Sequence, residues 1–137
     1  PFRNVRDVLG LHAKVSPHKN SVINYEAQLQ RNNMTYLEFV GKSHQVANFL
    51  FEDLDIKRGD TIAIASPNHE NSLLIYFASW VIGASVVSLD VTQDKDALKN
   101  ALADSEVRVL FAYHNYLDTF APLLKVIDSL DIFLFTV

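Results

Sequence analysis

Apolar residues fall along this chain in two patterns, at helical spacing and in unbroken runs. Residues 3–15 carry Val5, Val8, Leu9, Leu11, His12 and Val15 at helical spacings and are read as an amphipathic helix. Ser16-Pro17 ends it, because a residue before proline is driven out of the α region. Ser21–Glu26 has the character of a short strand, Gln28–Asn33 is polar and turn-like, and Met34-Thr35-Tyr36 is expected to return as a hairpin partner. Thr35-Tyr36-Leu37-Glu38 then has the form of a capping box. It predicts a helix running to about Asp53, with Leu37, Val40, Ala47, Leu50 and Leu54 on its core face.

Ile56–Asp60 is read as a turn, and after it the pattern changes. Thr61–Ser66, Ser85–Leu89, Val107–Ala112 and Asp131–Val137 are near-continuous apolar runs of strand length. Helices are expected between them. One runs from His69 to about Ile82, capped by Asn68; a second runs through Ala103, capped by Thr92 or Asp94. A third runs from a Thr119 cap to about Leu130, with Pro122 in its first turn. Unbroken apolar strands alternating with helices mark a parallel sheet buried on both faces. The expected class is α/β, a mainly parallel open sheet with helices on both faces. Residues 1–137 are read as a single α/β subdomain, and a final strand with nothing after it points to a larger protein.

Composition narrows the function. With 137 residues, 49% of them hydrophobic, and a net charge of −4, the chain can bury a core and is not expected to be disordered. There is no Cys, which excludes a disulfide scaffold. The mild acidity and the absence of a basic patch argue against nucleic acid as a partner. No charge occurs from Asn71 to Leu89, but Gly83-Ala84 splits that stretch into a buried helix and a buried strand, so no membrane span is expected. Without a signal peptide, the expected location is cytoplasmic.

Ligands of open α/β sheets gather beyond the carboxyl ends of the strands. Ser66-Pro67-Asn68-His69, Asp90-Val91-Thr92 and Tyr113-His114-Asn115 stand there. Each could offer polar groups to a small molecule; the simpler reading makes Asn68 a helix cap, Pro67 a strand stop, and Asp90 and Thr92 turn and cap residues. The four glycines, Gly10, Gly41, Gly59 and Gly83, are too far apart for either glycine-rich phosphate loop. His12, His18, His44, His69 and His114 have no metal-site spacing, and no nucleophile elbow occurs. Tyr76, Phe77 and Trp80 are read as helix-to-sheet core. The residues alone therefore define no catalytic, cofactor-binding or metal site.

Ordered short motifs carry the reading further. Thr35-Tyr36-Leu37-Glu38-Phe39, Val46–Leu50 and Ile56-Lys57-Arg58-Gly59-Asp60-Thr61-Ile62-Ala63-Ile64 are followed by Ser66–His69. Gly83–Asp90 comes next, with Ser88 where the similar motif has Pro, and then Asp96–Phe111, with Glu106 where it has Gly. This series, over roughly residues 20–113, resembles the N-terminal segment of AMP-forming adenylating enzymes, the acyl-CoA synthetase and AMP-dependent ligase superfamily. The resemblance implies a parent enzyme that uses ATP and Mg to turn a small carboxylic acid into an acyl-adenylate. The acyl group then passes to CoA or a carrier phosphopantetheine.

It also implies that this chain is part of a larger N-terminal AMP-binding domain. The remainder of its own chain would be its partner, and the family's phosphate loop and catalytic Lys would lie downstream. The isolated segment is accordingly expected to be inactive, to hold no cofactor and to contribute no catalytic residue. The alternative is a stand-alone, non-catalytic α/β binding or regulatory module.

Overall fold

Capping chemistry sets the helix starts. The computed structural model describes residues 2–26, 29–127 and 130–135. Where the sequence reads as one subdomain, the chain is organised as two compact units: Pro1–Ile56 with His69–Ile82, and Lys57–Asn68 with Gly83–Val137.

The first unit holds helix α1 (Val5–Val15), the antiparallel hairpin β1 (Asn20–Glu26) and β2 (Leu29–Thr35), and helices α2 (Tyr36–Asn48) and α3 (Glu70–Ile82). Asn4, not Arg3, opens α1, its Oδ1 accepting from the Asp7 amide at 3.0 Å. The Thr35 capping box is present in full. The Glu38 amide donates to Thr35 Oγ1 at 3.2 Å, and the Thr35 amide donates to Glu38 Oε2 at 2.9 Å. Strand β2 begins at Leu29, so Asn32 and Asn33 are paired strand residues, not a turn, while Gln28 lies outside the described residues.

The phase of α2 differs from the expected one. Leu37 is 52% exposed, whereas Phe39 is 2% exposed and packs with Met34 and Leu74. Ala47 and Leu50 are buried as expected, and Val40 and Leu54 are half-buried. The helix does reach Asp53, but its last stretch, Phe49–Asp53, is a wider π turn in which Leu54 donates to the Phe49 carbonyl. Helix α1 has no fully buried residue; Leu9 packs partly against the Met34–Phe39 cluster, and His12 stacks on Tyr36 with ring centroids 4.9 Å apart. Val5, Leu11 and Val15 are exposed. The expected aromatic core of α3 also separates: Phe77 meets Phe39 edge-on at 4.9 Å, while Trp80 is 45% exposed.

The second unit is a parallel sheet in the order β4-β3-β5-β6: β3 (Thr61–Ala65), β4 (Ser85–Ser88), β5 (Val107–Tyr113) and β6 (Asp131–Phe135). Thr136 and Val137 lie outside the described residues. Ala63, Ala65, Leu110 and Ala112 form one face with Leu98 and Leu102 of α4 (Lys95–Asp104) and with Phe120 and Leu123. The alternate residues Ile62, Ile64, Val109 and Phe111 are also buried, which is why the strands read as unbroken apolar runs.

Of the two expected caps for α4, Asp94 serves: its Oδ1 accepts from the Ala97 amide at 2.8 Å. After a 3₁₀ turn (His114–Tyr116), the region of the helix expected from Thr119 is instead two short pieces: helix α5 (Leu117–Phe120) and a second 3₁₀ turn (Ala121–Lys125). Thr119 lies inside α5 and caps nothing, while Pro122 does occupy the first turn of the last piece, where no helical amide bond is lost.

Glu106 has φ +48, the left-handed region that favours glycine. The motif this segment resembles has Gly there, so the substitution carries a backbone cost.

Two stability predictions follow from these positions. Thr35→Ala should cost about 1 kcal/mol through the lost amide partner, and Ala47→Asp should cost more because it buries an unpaired charge. Glu106→Gly should instead stabilise by about 0.5–1 kcal/mol, the strain relieved exceeding glycine's added chain entropy. Urea denaturation of the three variants beside the parent reads both, and an unchanged midpoint for Glu106→Gly would show that position 106 is unstrained.

Candidate functional site

Strand register brings two of the three expected loops side by side. Ala65 of β3 pairs with Ala112 of β5, so Ser66 leaves the sheet beside Tyr113, the last residue of β5 and itself paired with Phe135 of β6. Leu89 donates its amide to the Ile64 carbonyl at 2.9 Å, which sets Asp90 on the other side of β3. From β3 the chain goes on to β4 on one side, while β5 and β6 extend the sheet on the other. The β3–β5 crevice is therefore the topological switch point, where open sheets of this kind receive ligands.

The side chains there are mostly engaged in local structure. Asp90 Oδ1 accepts from the Thr92 amide at 3.0 Å and from Thr92 Oγ1 at 2.7 Å. Those two bonds hold the exposed Asp90 carboxyl below the usual aspartate range. Ser66 Oγ donates to the Pro67 carbonyl at 2.9 Å. The Tyr113 ring lies 4.3 Å from that of His114 and 5.9 Å from that of Tyr116, which itself packs on the sheet core. Asn68 does not cap α3. His69 of the first unit does, its Nδ1 accepting from the Asn71 amide at 3.1 Å.

Two polar arrangements depart from a reading of the sequence, which takes His69-Glu70, the centre of the second, as a solvated pair opening a helix, whereas both side chains are largely buried. The first is the turn that launches β3. Asp60 Oδ2 accepts from the Lys57 amide at 2.7 Å and from Arg108 Nη1 at 2.5 Å. Burial opposes ionisation of Asp60, but the Lys57 amide and the Arg108 guanidinium outweigh it and hold its carboxyl below the ordinary range. A lone charge in the apolar run Val107-Arg108-Val109 was the available signal. A cleft of about 540 Å³ opens beside this pair, lined also by Leu102, Glu106 and Ile127, at the amino end of the strands and away from the switch point.

The second arrangement surrounds Glu70, the first residue of α3. Asn24 and Asn32, cross-strand partners in the hairpin, donate to its two carboxylate oxygens at 2.6 and 3.2 Å. His69 Nε2 stands 3.4 Å from Oε2. Burial again opposes the charge, but the residue's own amide, His69, Asn32 and Asn24 outweigh it and lower the Glu70 pKa. The arrangement pins the hairpin to the positive end of the helix. A polar cleft of about 220 Å³, with Asn33 and Lys42 on its wall, adjoins it.

The loops after β3, β4 and β5 contain no glycine to let backbone amides converge. Among the described residues, no group of three His, Asp or Glu side chains is placed to hold a metal ion. No helix of the described residues is long and apolar enough to cross a membrane.

The AMP-binding enzyme family matches residues 11–132, which is most of the chain. Acetyl-coenzyme A synthetase 1 of Candida glabrata is 31% identical over 101 residues, covering 72% of this chain and 14% of that protein. The 2-succinylbenzoate–CoA ligase of Oceanobacillus iheyensis is 31% identical over 104 residues, covering 76% and 21%. Among solved structures, a variant of coronafacic acid ligase from Pectobacterium brasiliense superposes with a TM-score of 0.85 at 20% identity, covering 96% of this chain and 25% of that one. The chain belongs to the AMP-binding enzyme family, as the N-terminal segment that its motifs resemble. It spans about a fifth or less of the curated relatives' length.

The charge on Glu70 makes an acid limb of stability predictable. A depressed carboxyl pKa contributes stability that is complete above the unfolded value, near 4.5, and is lost as pH falls through the lower folded value. Glu70→Gln should cost about 0.5–1 kcal/mol at neutral pH and should flatten the fall in urea midpoint below pH 4.5. An acid limb of undiminished slope in the variant would show that Glu70 titrates normally.

Proposed function

We propose that this chain is the scaffold-forming opening of an ATP-dependent, AMP-forming carboxylate ligase, and that it is inactive alone. In the parent, a carboxylate oxygen attacks the α-phosphorus of ATP and pyrophosphate leaves. The thiol of CoA, or of a carrier phosphopantetheine, then displaces AMP from the acyl-adenylate. The observation that carries this reading is the family match over residues 11–132. The two relatives named for CoA are named for different acids, and a third, the N-(5-amino-5-carboxypentanoyl)-L-cysteinyl-D-valine synthase of Amycolatopsis lactamdurans, is not named for CoA, so both acceptor thiols stay in the reading. The described residues fit a positioning role: Asp60, Gly59 and Gly83 shape the turns at the amino ends of β3 and β4, and the strands carry the switch-point loops outward.

Adenylation needs a cradle of closely approaching amides and a cation around the triphosphate, with donors preorganised for the charge developing at phosphorus. The loops described above lack the glycines for it. ATP, Mg and CoA therefore belong to the longer parent. The parent's other partners are a small carboxylic acid and the remainder of its own chain, and its expected location is cytoplasmic.

Calorimetric titration of residues 1–137 with Mg·ATP is expected to show very weak binding or none. A longer parent chain should catalyse carboxylate-dependent exchange of pyrophosphate into ATP. Micromolar ATP binding by this segment would overturn its inactivity, and would point to Ser66–His69 or Asp90–Thr92.

A further inference from the structure

The ladder between β3 and β5 skips one residue near its start. Val107 pairs with Thr61, but the next pair is Val109 with Ile62, so Arg108 is an extra residue with no counterpart on β3, a bulge. Burial records the same break. Side chains alternate between the two faces of a regular strand, which would put Val107 on the face away from Leu110 and Ala112. Val107 instead lies with both of them in one buried cluster, together with Leu98 and Leu102 of α4. Arg108 turns away from that cluster, and its Nη1 donates to Asp60 Oδ2 at 2.5 Å.

The same sequence admits a regular start. Extended backward from the Val109–Ile62 pair without a skip, the ladder would set residue 108 against Thr61, on the face of Leu110 and Ala112. Arginine cannot go there, because the cluster is apolar and offers no counter-charge. In that arrangement Val107 would leave the core and join the connection from α4. The connection would be one residue longer, and Glu106 would be free of its φ of +48.

We propose that the start of β5 is an element with two settings, held in the bulged one by the charge of Arg108 seated on Asp60. The bulge breaks the ladder and leaves Glu106 in the left-handed region. The ion pair and the buried Val107 offset those costs. A neutral side chain at position 108 empties the seat on Asp60 and enters the cluster in place of Val107, so the regular setting takes over. Both settings share the ladder from Val109 to Ala112, so the change is confined to the amino end of the sheet. There Asp60, Glu106, Val107 and Arg108 line the cleft of about 540 Å³. The bulged setting supplies that cleft with its guanidinium, and the regular setting withdraws it.

Nuclear magnetic resonance reads the setting through the cross-strand contacts of Thr61. In the unaltered chain and in Arg108→Lys, which keeps the charge, Thr61 should contact Val107. In Arg108→Val and Arg108→Met it should contact residue 108 instead, while Ala65 keeps its contact with Ala112. Urea denaturation gives a second readout: Glu106→Gly should raise the midpoint of the unaltered chain and of Arg108→Lys, but not that of Arg108→Val, where the left-handed turn is gone. A folded neutral variant that keeps the Thr61–Val107 contact would overturn the proposal. So would a gain from Glu106→Gly that is undiminished in Arg108→Val. Should neither neutral variant fold, deletion of Arg108 decides: the extra residue gone, the chain should fold with an unbroken ladder from Val107 onward, and its failure to do so would count against the two settings.

Discussion

Thr61–Ala65 has strands on both sides and, apart from Thr61, is fully buried, so each backbone donor and acceptor must find a strand partner. That requirement organises the second unit. Even-numbered residues of β3 bond β4 and odd-numbered ones bond β5, and both neighbours must run parallel to it and start at its level. The start is fixed by two turns held together, Gly59 donating its amide to the Gly83 carbonyl at 3.0 Å. Both glycines have positive φ, and a Cβ on Gly83 would stand 3.0 Å from Arg58 Cγ. The glycines that give the sequence its family look are thus conditions for ladder alignment. They lie at the amino ends of the strands, away from the switch point.

What could be read from the sequence was whatever a local rule decides. Thr35 with Glu38, Asp94 with Ala97, and Ser16 before Pro17 all settle their neighbours' conformation within three residues. The parallel sheet was readable because β-branched runs alternate with helical spacing. The misplacements came where two local solutions compete and packing chooses. Leu37 and Phe39 both suit a core face, and the larger ring is the one inserted between Met34 and Leu74. Asn68 and His69 are both possible caps, and helix α3 starts so that the imidazole accepts the amide. Around Thr119, Phe120 and Leu123 are buried against the sheet core, and the chain runs as short α and 3₁₀ pieces where one regular helix was expected.

The candidate site was legible only as a place. The carboxyl ends of β3 and β5 could be named in advance, because an apolar run followed by Ser66-Pro67 or Tyr113-His114 marks a strand's exit. Side-chain commitments could not. Asp90 is consumed by Thr92, and Glu70, which has no signature beyond being an acid in a first turn, is the residue that ties hairpin to helix. Such ties join residues far apart in sequence, as Asp60 and Arg108 also are, and no local pattern announces them.

The π turn at Phe49–Asp53 bears on how this chain is compared with its kin. A helix that closes one turn over five residues in place of four carries one extra residue without lengthening the path of its axis. The chain then leaves through Asp55 at φ +52 and drives Ile56 into complete burial. A relative whose helix stays regular would therefore deliver the residue equivalent to Ile56 one position earlier. Its sequence would align across this helix only with a single-residue gap, and an ungapped alignment would set every core position before the turn out of phase with those after it.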